Sequence, residues 1–412
     1  MNRVLLLTTP NTYRAQAFLA AAERLGVEVA IATDMQAELA ESWGQQLGLD
    51  FQRIEPALAA IVAVAAERPL NAIIAVDDSG SLLAARASAA LGLAHNAPDA
   101  AEAARDKFIM RTLLARAHVP SPPFQRYSTG DDLHALAQQV EYPCVVKPLR
   151  LNGSRGVIRA NNPREFVAAA SRLAALLDAI DPTLGAKPFL VEHFIPGFEV
   201  ALEGLLDHGA LQVLALFDKP DPLDGPFFEE TLYVTPSRLP EATQAAIARC
   251  AADAAAALGL REGPMHAELR INDQGPWIVE LAGRSIGGLC SKTLRFGTDI
   301  SLEELILRQA CGMPIESTVR TSVAGGVMMI PIPGAGLLKR VEGVAESAEV
   351  PGVEEVDITA RINYPIVPLP EGDSYLGFIF ARAGTPVEVE AALREAHSRL
   401  RFRIQPSISL VV

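Results

Sequence analysis

Through the first hundred residues, short apolar runs alternate with stretches whose apolar residues recur at helical spacing. Residues 4–7, 27–32 and 73–76 are runs of strand length. Between the first two, Phe18, Leu19, Ala22 and Leu25 share one face of a predicted helix, which Gly26 closes at its C-cap. Strand, helix, strand in this order predicts a parallel sheet with crossover helices. The turn after the first run reads TTPN, so the glycine fingerprint of a dinucleotide site is absent. Neither G-x-x-x-x-G-K-[ST] nor H-E-x-x-H occurs anywhere in the chain.

From Pro98 the pattern changes. RDKFIMRTLLARAHV predicts a helix with Phe108, Met110, Leu113 and Leu114 as its apolar positions, stopped by Pro120-Ser121-Pro122-Pro123. A helical stretch over 132–140 precedes a predicted strand over 143–147, and LNGSRGV then breaks both periodicities. FLVEHF, EVALEGLL and LQVLALF predict successive strands of an antiparallel sheet. An Ala-rich helix over 241–258 ends at Gly259, and MHAELRIN and WIVELAG predict two strands joined by the turn 272–275. The portion from about Ala324 is rich in Gly, Pro and Val. It predicts a strand over 377–381, a helix from Pro386 to about Leu400, and a basic terminal strand.

Composition narrows the class. The 412 residues carry 36 Lys+Arg against 49 Asp+Glu, a net charge of −13, and half are hydrophobic. That balance excludes a disordered chain and argues against non-specific nucleic-acid binding or a membrane-surface role. The length accommodates roughly two to four domains. The apolar run at 4–7 is too short for a signal-peptide core, and no other run reaches bilayer length. Cys144, Cys250, Cys290 and Cys311 are scattered without a C-x-x-C pair, which fits buried thiols in a reduced, cytoplasmic compartment.

Three segments carry candidate chemistry. In HAELRINDQGPWIVELAGRSIGG, Glu268 and Glu280 lie in paired strands, where their carboxylates can point to the same face. Two adjacent carboxylates repel unless a cation sits between them, and magnesium is the usual one. A solvent-facing polar side of a hairpin also accounts for the pair taken alone. Arg284 follows Glu280 by four residues, and Gly283, Gly287 and Gly288 allow close backbone approach. Such a set suits metal, phosphate and an organic carboxylate held together. In PCVVKPLRLNGSRGV, Lys147 ends an apolar strand, and residues 144–160 bring four positive charges and no acid. A basic surface hairpin is the plain alternative, but it leaves a lysine in a buried-looking strand unexplained. The third segment, FLVEHFIPGFEVALEGLL, places Glu192 before a Pro196-Gly197 turn and Glu199 after it. Its backbone could read an adenine edge, and Glu199 could accept from ribose hydroxyls.

The order Asp106-Lys107, VVKP, N-G-S-R-G, V-E-x-F-I-x-G-x-E, E-L-R and V-E-L-A-G-R resembles the ATP-grasp superfamily over about 100–325. Within it the chain is most similar to carboxylate–amine ligases of the L-amino acid (dipeptide) ligase type, and its tail resembles their C-terminal domain. The resemblance implies an α/β and α+β architecture in three parts. These are an N-terminal parallel α/β domain (1–98), a two-lobed ATP-grasp domain (99–325, small lobe about 120–195) and a C-terminal α+β domain (326–412).

It also implies roles. Lys107 and Lys147 would contact ATP phosphates, with Asn152, Gly153, Ser154, Gly156 and Val157 closing over them. Glu192, His193, Phe194 and Ile195 would line the adenine, and Glu199 would meet the ribose. Glu268 and Glu280 would hold magnesium (manganese being the other candidate), with Glu230 of GPFFEETLYVTPS a further acid facing metal and substrate. Arg284 would bind the acid substrate's carboxylate, and Gly287 and Gly288 would steady an acyl phosphate. One position departs from the pattern. The family commonly has E-x-N-x-R, and here Ala282 stands where the Asn would ligate a second metal.

The implied activity is ATP-dependent amide formation from a small carboxylate and an amine, by a cytoplasmic protein that could be a homodimer. Two alternatives stand beside it: a formate- or bicarbonate-activating enzyme of purine or carboxylase type, and a catalytically degenerate ATP-binding protein. Ser79 and Ser154 have no recognisable His partner, which argues against a hydrolase. His266 fits a hydrogen-bonded structural histidine better than a metal ligand. Asp77-Asp78-Ser79 fits a ligand-facing strand end or a helix N-cap, and Phe227-Phe228 fits a substrate pocket or ordinary core. The basic residues 144–160 and the acid-rich residues 192–230 are expected on opposite walls of one site.

Overall fold

The computed structural model describes residues 2–44, 46–182 and 185–406. The N-terminal sheet is wholly parallel, in the order Leu47–Leu49, Glu28–Asp34, Arg3–Thr8, Ala72–Ala75. Successive residues of Arg3–Thr8 serve two cores. Val4 and Leu6 pack on one face and Leu5 and Leu7 on the other, as a parallel sheet covered on both faces requires. Gly26 takes the left-handed conformation (φ 63°) at the end of helix Ala15–Leu25.

A four-stranded antiparallel sheet follows, ordered Phe124–Ser128, Pro188–His193, Cys144–Pro148, Ile158–Ala160, with helix Pro163–Ile180 packed on it. The helical stretch expected over 132–140 is only Leu133–Leu136, capped by Asp132. The remainder turns ahead of Tyr142-Pro143, where the chain must become extended.

The third sheet has eight antiparallel strands: Gly275–Ala282, Gly263–Asn272, Phe198–Asp207, Ala210–Lys219, Leu232–Thr235, Ala324–Ile330, Gly377–Ala383, Val353–Asp357. The three strands expected in a single sheet are therefore divided. Pro188–His193 belongs to the small sheet, whereas Phe198–Asp207 and Ala210–Lys219 belong to the large one. The chain crosses between them at Gly197, whose φ is 133° and where a Cβ would meet the Ile271 carbonyl oxygen at 2.2 Å. Only glycine fits that crossing.

The large sheet runs across position 325. A three-stranded sheet (Pro365–Ile366, Gly336–Glu342, Arg401–Pro406) completes the C-terminal portion, and residues 407–412 of the expected C-terminal domain lie outside the described residues. Val4, Leu6 and Phe18 share one core with Ala201, Phe217, Tyr233 and Leu302. This common core holds the parallel sheet against the large sheet and leaves a cleft along their edges.

Candidate active site

The hinge between the small and large sheets encloses about 70 Å³. Lys107 opens helix Lys107–Arg116, and the Asp106 carboxylate caps that helix by accepting from the N–H groups of Phe108 (3.0 Å) and Ile109 (3.2 Å). Lys107 is buried. Its Nζ donates to the Leu151 carbonyl (3.0 Å) and to Glu280 Oε1 (3.4 Å). Lys147, also buried, lies 2.7 Å from Glu192 Oε2. Burial lowers the Lys147 pKa, and Glu192 offsets that only in part.

Glu192 is held on its other side by Arg111, through Nε at 2.8 Å and Nη2 at 3.3 Å. Burial alone would raise the Glu192 pKa, but Arg111 and Lys147 together hold it below the ordinary carboxylate value. Of the expected hinge residues, Glu192 thus has its side chain committed to protein cations. The N–H groups of His193 and Phe194 donate to the Pro123 and Pro143 carbonyls, at 2.9 and 3.0 Å. Among the described residues, the Ile195 N–H is left without a hydrogen bond, while the Ile195 carbonyl accepts from Arg270 Nη1 at 2.7 Å. Phe194 stacks beneath Arg159, 4.0 Å from its guanidinium, and faces Phe228 across 6.4 Å. Phe228 lines the hinge; Phe227 packs on the core of the four-stranded sheet under Arg172.

Glu268 lies opposite Glu280 in the strand register, as expected, but the two carboxylates take different partners. Glu280 meets Lys107, whereas Glu268 lies 3.3 Å from Lys219 Nζ. Lys219 ends strand Ala210–Lys219, is buried, and also meets Glu199 (2.9 Å) and Glu230 (2.5 Å). Oxygens of Glu199, Glu230 and Glu268 all lie within 4.8 Å of one another. Glu230 and Glu268, two of the expected metal ligands, thus lie together with Glu199, while Glu280, the third, meets Lys107. Glu199 also accepts from Arg270 Nε at 2.9 Å.

This acid cluster is short of positive charge. Burial, then Glu268, pushes Glu230 up to about 7, although Lys219 pulls the other way. For Glu280, burial would raise the pKa, but Lys107, Lys147 and Arg284 bring it down to about 2. The donor set is oxygen only, with three carboxylates beside one lysine, and so fits a hard divalent cation such as magnesium, or manganese in its place. A pH consequence follows for the protein free of metal and nucleotide. Glu230 binds its proton more tightly when folded, so its ionisation costs stability progressively from about pH 4.5 to about 7. Glu230→Gln should flatten the fall in melting temperature over that window; an unchanged slope would remove Glu230 as its source.

Along the sheet edges the cleft widens to about 530 Å³. Arg284 sits there, with Nε and Nη2 each 2.7 Å from Asp78 Oδ2 and Nη1 donating to the Ser285 carbonyl at 2.8 Å. Asp78 does not cap a helix. Asp77 instead accepts from the hydroxyls of Thr9 (3.0 Å) and Thr12 (3.2 Å), so the strand-end reading of this motif is the one the structure carries. Arg14 is bonded to Ser285 Oγ (2.6 Å) and to the Val76 carbonyl. Gly287, Gly288, Tyr13, Tyr233, Met329 and Tyr375 line the same space. Gly288 has φ +58°, and a Cβ there would meet Met329 Sδ at 3.1 Å. His266 is buried between Glu203 (3.3 Å) and Glu268 (3.5 Å), and Ala282 lies opposite it in the register.

The loop over 152–157 borders both spaces, with Gly153, Ser154 and Gly156 at φ 60°, 56° and 74°. It is tied to the C-terminal portion. Gly156 N–H donates to the Pro370 carbonyl and Arg155 Nε to the Glu371 carbonyl, both at 2.8 Å. Arg150 is turned away to Glu102 (2.5 Å) and Asp106 (3.2 Å).

Sequence reasoning gave no role to Arg111, Lys219 or Arg270, the last quoted only as part of E-L-R, and missed the pairing of Asp78 with Arg284. The first three were open to the test that singled out Lys147, a charge inside an otherwise apolar element. The fourth pairs residues 206 positions apart and left no local signal.

Comparison with known proteins adds an independent line. Residues 140–293 match the family described as "ATP-grasp domain", and residues 328–405 match "L-amino acid ligase C-terminal domain 2". The chain is 32% identical over 235 residues to a D-alanine–D-alanine ligase of Verminephrobacter eiseniae, covering 53% of this chain and 67% of that one. It is 28% identical over 267 residues to alanine–anticapsin ligase of Bacillus subtilis, covering 61% and 56%. The crystal structure of L-amino acid ligase from Bacillus licheniformis superposes with a TM-score of 0.81 at 26% identity, covering 98% of this chain and 99% of that one. The chain spans 51–63% of the length of the first curated relatives it matches.

Proposed function

Because this chain belongs to the ATP-grasp superfamily of ligases, we propose that it joins a small carboxylate, such as an amino acid, to an amine at the expense of ATP. The observation that carries this reading is the arrangement around Arg284. A cation held by Asp78 faces a cleft beside an acid cluster and two buried lysines. The three-part division at about 98 and 325 is part of the same proposal.

In the first step a carboxylate oxygen of the acid forms a bond to the γ-phosphorus, the bond from that phosphorus to the β–γ bridging oxygen breaks, and ADP leaves. The amine nitrogen then bonds to the acyl carbon, inorganic phosphate departs, and the nitrogen loses its proton. Such chemistry asks the protein for positioning and charge neutralisation. Lys107 and Lys147 would take the phosphates, and the Asn152, Gly153, Ser154, Gly156 and Val157 backbone would cover them. The free Ile195 N–H would read the adenine edge, with Phe194 and Phe228 at its ring faces and Glu199 at the ribose. Glu268, with Glu280 and Glu230, would hold magnesium, which neutralises charge on the phosphate oxygens when bound. Arg284 would bind the acid's carboxylate, and the Gly287 and Gly288 backbone would lie along the acyl phosphate.

The amino-acid reading is favoured over formate or bicarbonate by the match of residues 328–405. Retention of both lysines, both glutamates and Arg284 supports an active enzyme despite Ala282. Four cysteines without a disulfide support the cytoplasm as its location, and a homodimer is our working assembly. Phosphate release across pairs of amino acids and small carboxylic acids, with mass detection of the amide, tests the reading; ATP-dependent release with no amide from any pair would overturn it. Arg284→Ala should raise the KM for the acid at least tenfold and leave the KM for ATP within twofold. A change confined to ATP would remove Arg284 from the carboxylate role.

A further inference from the structure

The loop over 152–157 meets the C-terminal portion at one place. Between residues 150–177 and 326–406, every hydrogen bond and ion pair among the described residues ends on Pro370, Glu371 or Asp373. A tight turn presents these residues, with the Gly372 N–H donating to the Pro368 carbonyl at 2.9 Å. Glu371 is the hub of the contact. Its carbonyl accepts from Arg155 Nε of the loop at 2.8 Å. Its carboxylate accepts from Arg172 of helix Pro163–Ile180, Nε to Oε1 at 2.5 Å and Nη2 to Oε2 at 2.8 Å. Two parallel bonds of this kind fix direction as well as distance. Arg172 accordingly holds the Glu371 carboxyl below its ordinary value. Asp373 adds a longer pair to Arg155, at 3.5 Å.

Gly156 rests on the same helix. At its φ of 74° a Cβ would meet Leu173 Cδ1 at 2.9 Å and Leu176 Cδ2 at 3.2 Å, so the end of the loop and the helix are packed together. Loop, helix and turn therefore form one contact. Asp373, Ser374 and Tyr375 continue from the turn into the lining of the wide cleft. The strength of the contact matters as much as its place. The Arg172 and Glu371 side chains keep 46% and 37% of their surface, and pairs this open to water are weak and screened by salt. Such a contact holds and still releases. A loop that covers phosphates has to release, because a nucleotide cannot enter or leave beneath one that stays shut.

We propose that Glu371 is a positioning residue for the reaction. Through Arg172 and Arg155 it clasps the loop over 152–157 against the C-terminal portion, and so sets how long a nucleotide stays bound. This role rests on the phosphate-covering loop proposed above.

Two measurements on the whole chain test it, one without nucleotide and one with. In the nucleotide-free protein, Glu371→Gln should speed hydrogen exchange in the peptide over 152–157 about threefold, the scale of one exposed ion pair. Dissociation of N-methylanthraniloyl-ADP with magnesium should also quicken about threefold. Arg172→Gln should do the same, and the double variant should go no further than either single one. Added salt should hasten loss of the nucleotide more in wild type than in Glu371→Gln, since only wild type has this pair to screen. The pair is exposed, so these variants should fold; melting curves verify that. Unchanged exchange over 152–157 overturns the clasp. Faster exchange with an unchanged ADP rate overturns its hold on the nucleotide and leaves the ligase reading standing. Failure of wild type to bind the nucleotide would strike the ligase reading itself, and the exchange result would still decide the clasp.

Discussion

Lys219→Met should abolish ATP-dependent turnover and destabilise the fold by about 3–5 kcal/mol, the range for removing one partner of a buried ion pair. The reason is local. Lys219 Nζ is the shared partner of Glu199, Glu230 and Glu268; Lys219 and Glu199 are buried, and Glu230 and Glu268 open only in part onto the cleft. Without it three carboxylates face one another, and the protons needed to relieve them must come from solvent. Burial opposes the charge on Lys219, yet the three acids hold its pKa well above the ordinary lysine value. Chemical denaturation measures the stability loss. A variant as stable as wild type would mean that the acids repartner with Arg270, and that Lys219 is not the centre of this wall.

Glu280→Gln should reduce substrate-dependent ADP release at least ~100-fold, the scale for removing one charged group that stabilises a transition state, and should melt below wild type at neutral pH, because Lys107 loses its carboxylate partner. Its carboxylate is part exposed to the cleft and meets Lys107, not the Lys219 cluster. The sign of its pH linkage is opposite to that of Glu230. With a folded pKa of about 2, its contribution to stability is complete above the ordinary value near 4.5 and lost as pH falls toward 2. The glutamine variant should therefore lose part of the wild type's sensitivity to acid. Near-normal ADP release would separate Glu280 from metal and phosphate, leaving Glu199, Glu230 and Glu268 to hold the cation.

The two carboxylate effects show why so much of this site was legible before any coordinates. Glu268 and Glu280 were placed opposite one another by counting along a hairpin, because antiparallel pairing is a local consequence of a tight turn. Lys147 stood out because a charge in an apolar strand demands a counterion wherever the strand ends up. The Gly-rich loop announced itself by breaking periodicity, and the turns at Gly153, Ser154 and Gly156 lie within six residues of sequence.

The rest was fixed at a distance. That Pro188–His193 and Phe198–Asp207 belong to different sheets depends on where Gly197 meets the Ile271 carbonyl, a contact no periodicity records. The convergence of Glu199, Glu230 and Glu268 on Lys219 brings together residues 11 to 49 positions from the lysine along three strands and a loop. Which carboxylate takes which cation is an outcome of packing.

By itself the sequence determined the kinds of element, the positions of the chemical groups along them and the family pattern, since these follow from periodicity, turn chemistry and short-range spacing. Only the tertiary structure decided which hinge amide stays free, that Asp78 holds Arg284, and that Glu199 joins Glu230 and Glu268 around Lys219. These depend on burial, which comes from three sheets packing around one cleft, and burial sets the cost of leaving each charge unpaired.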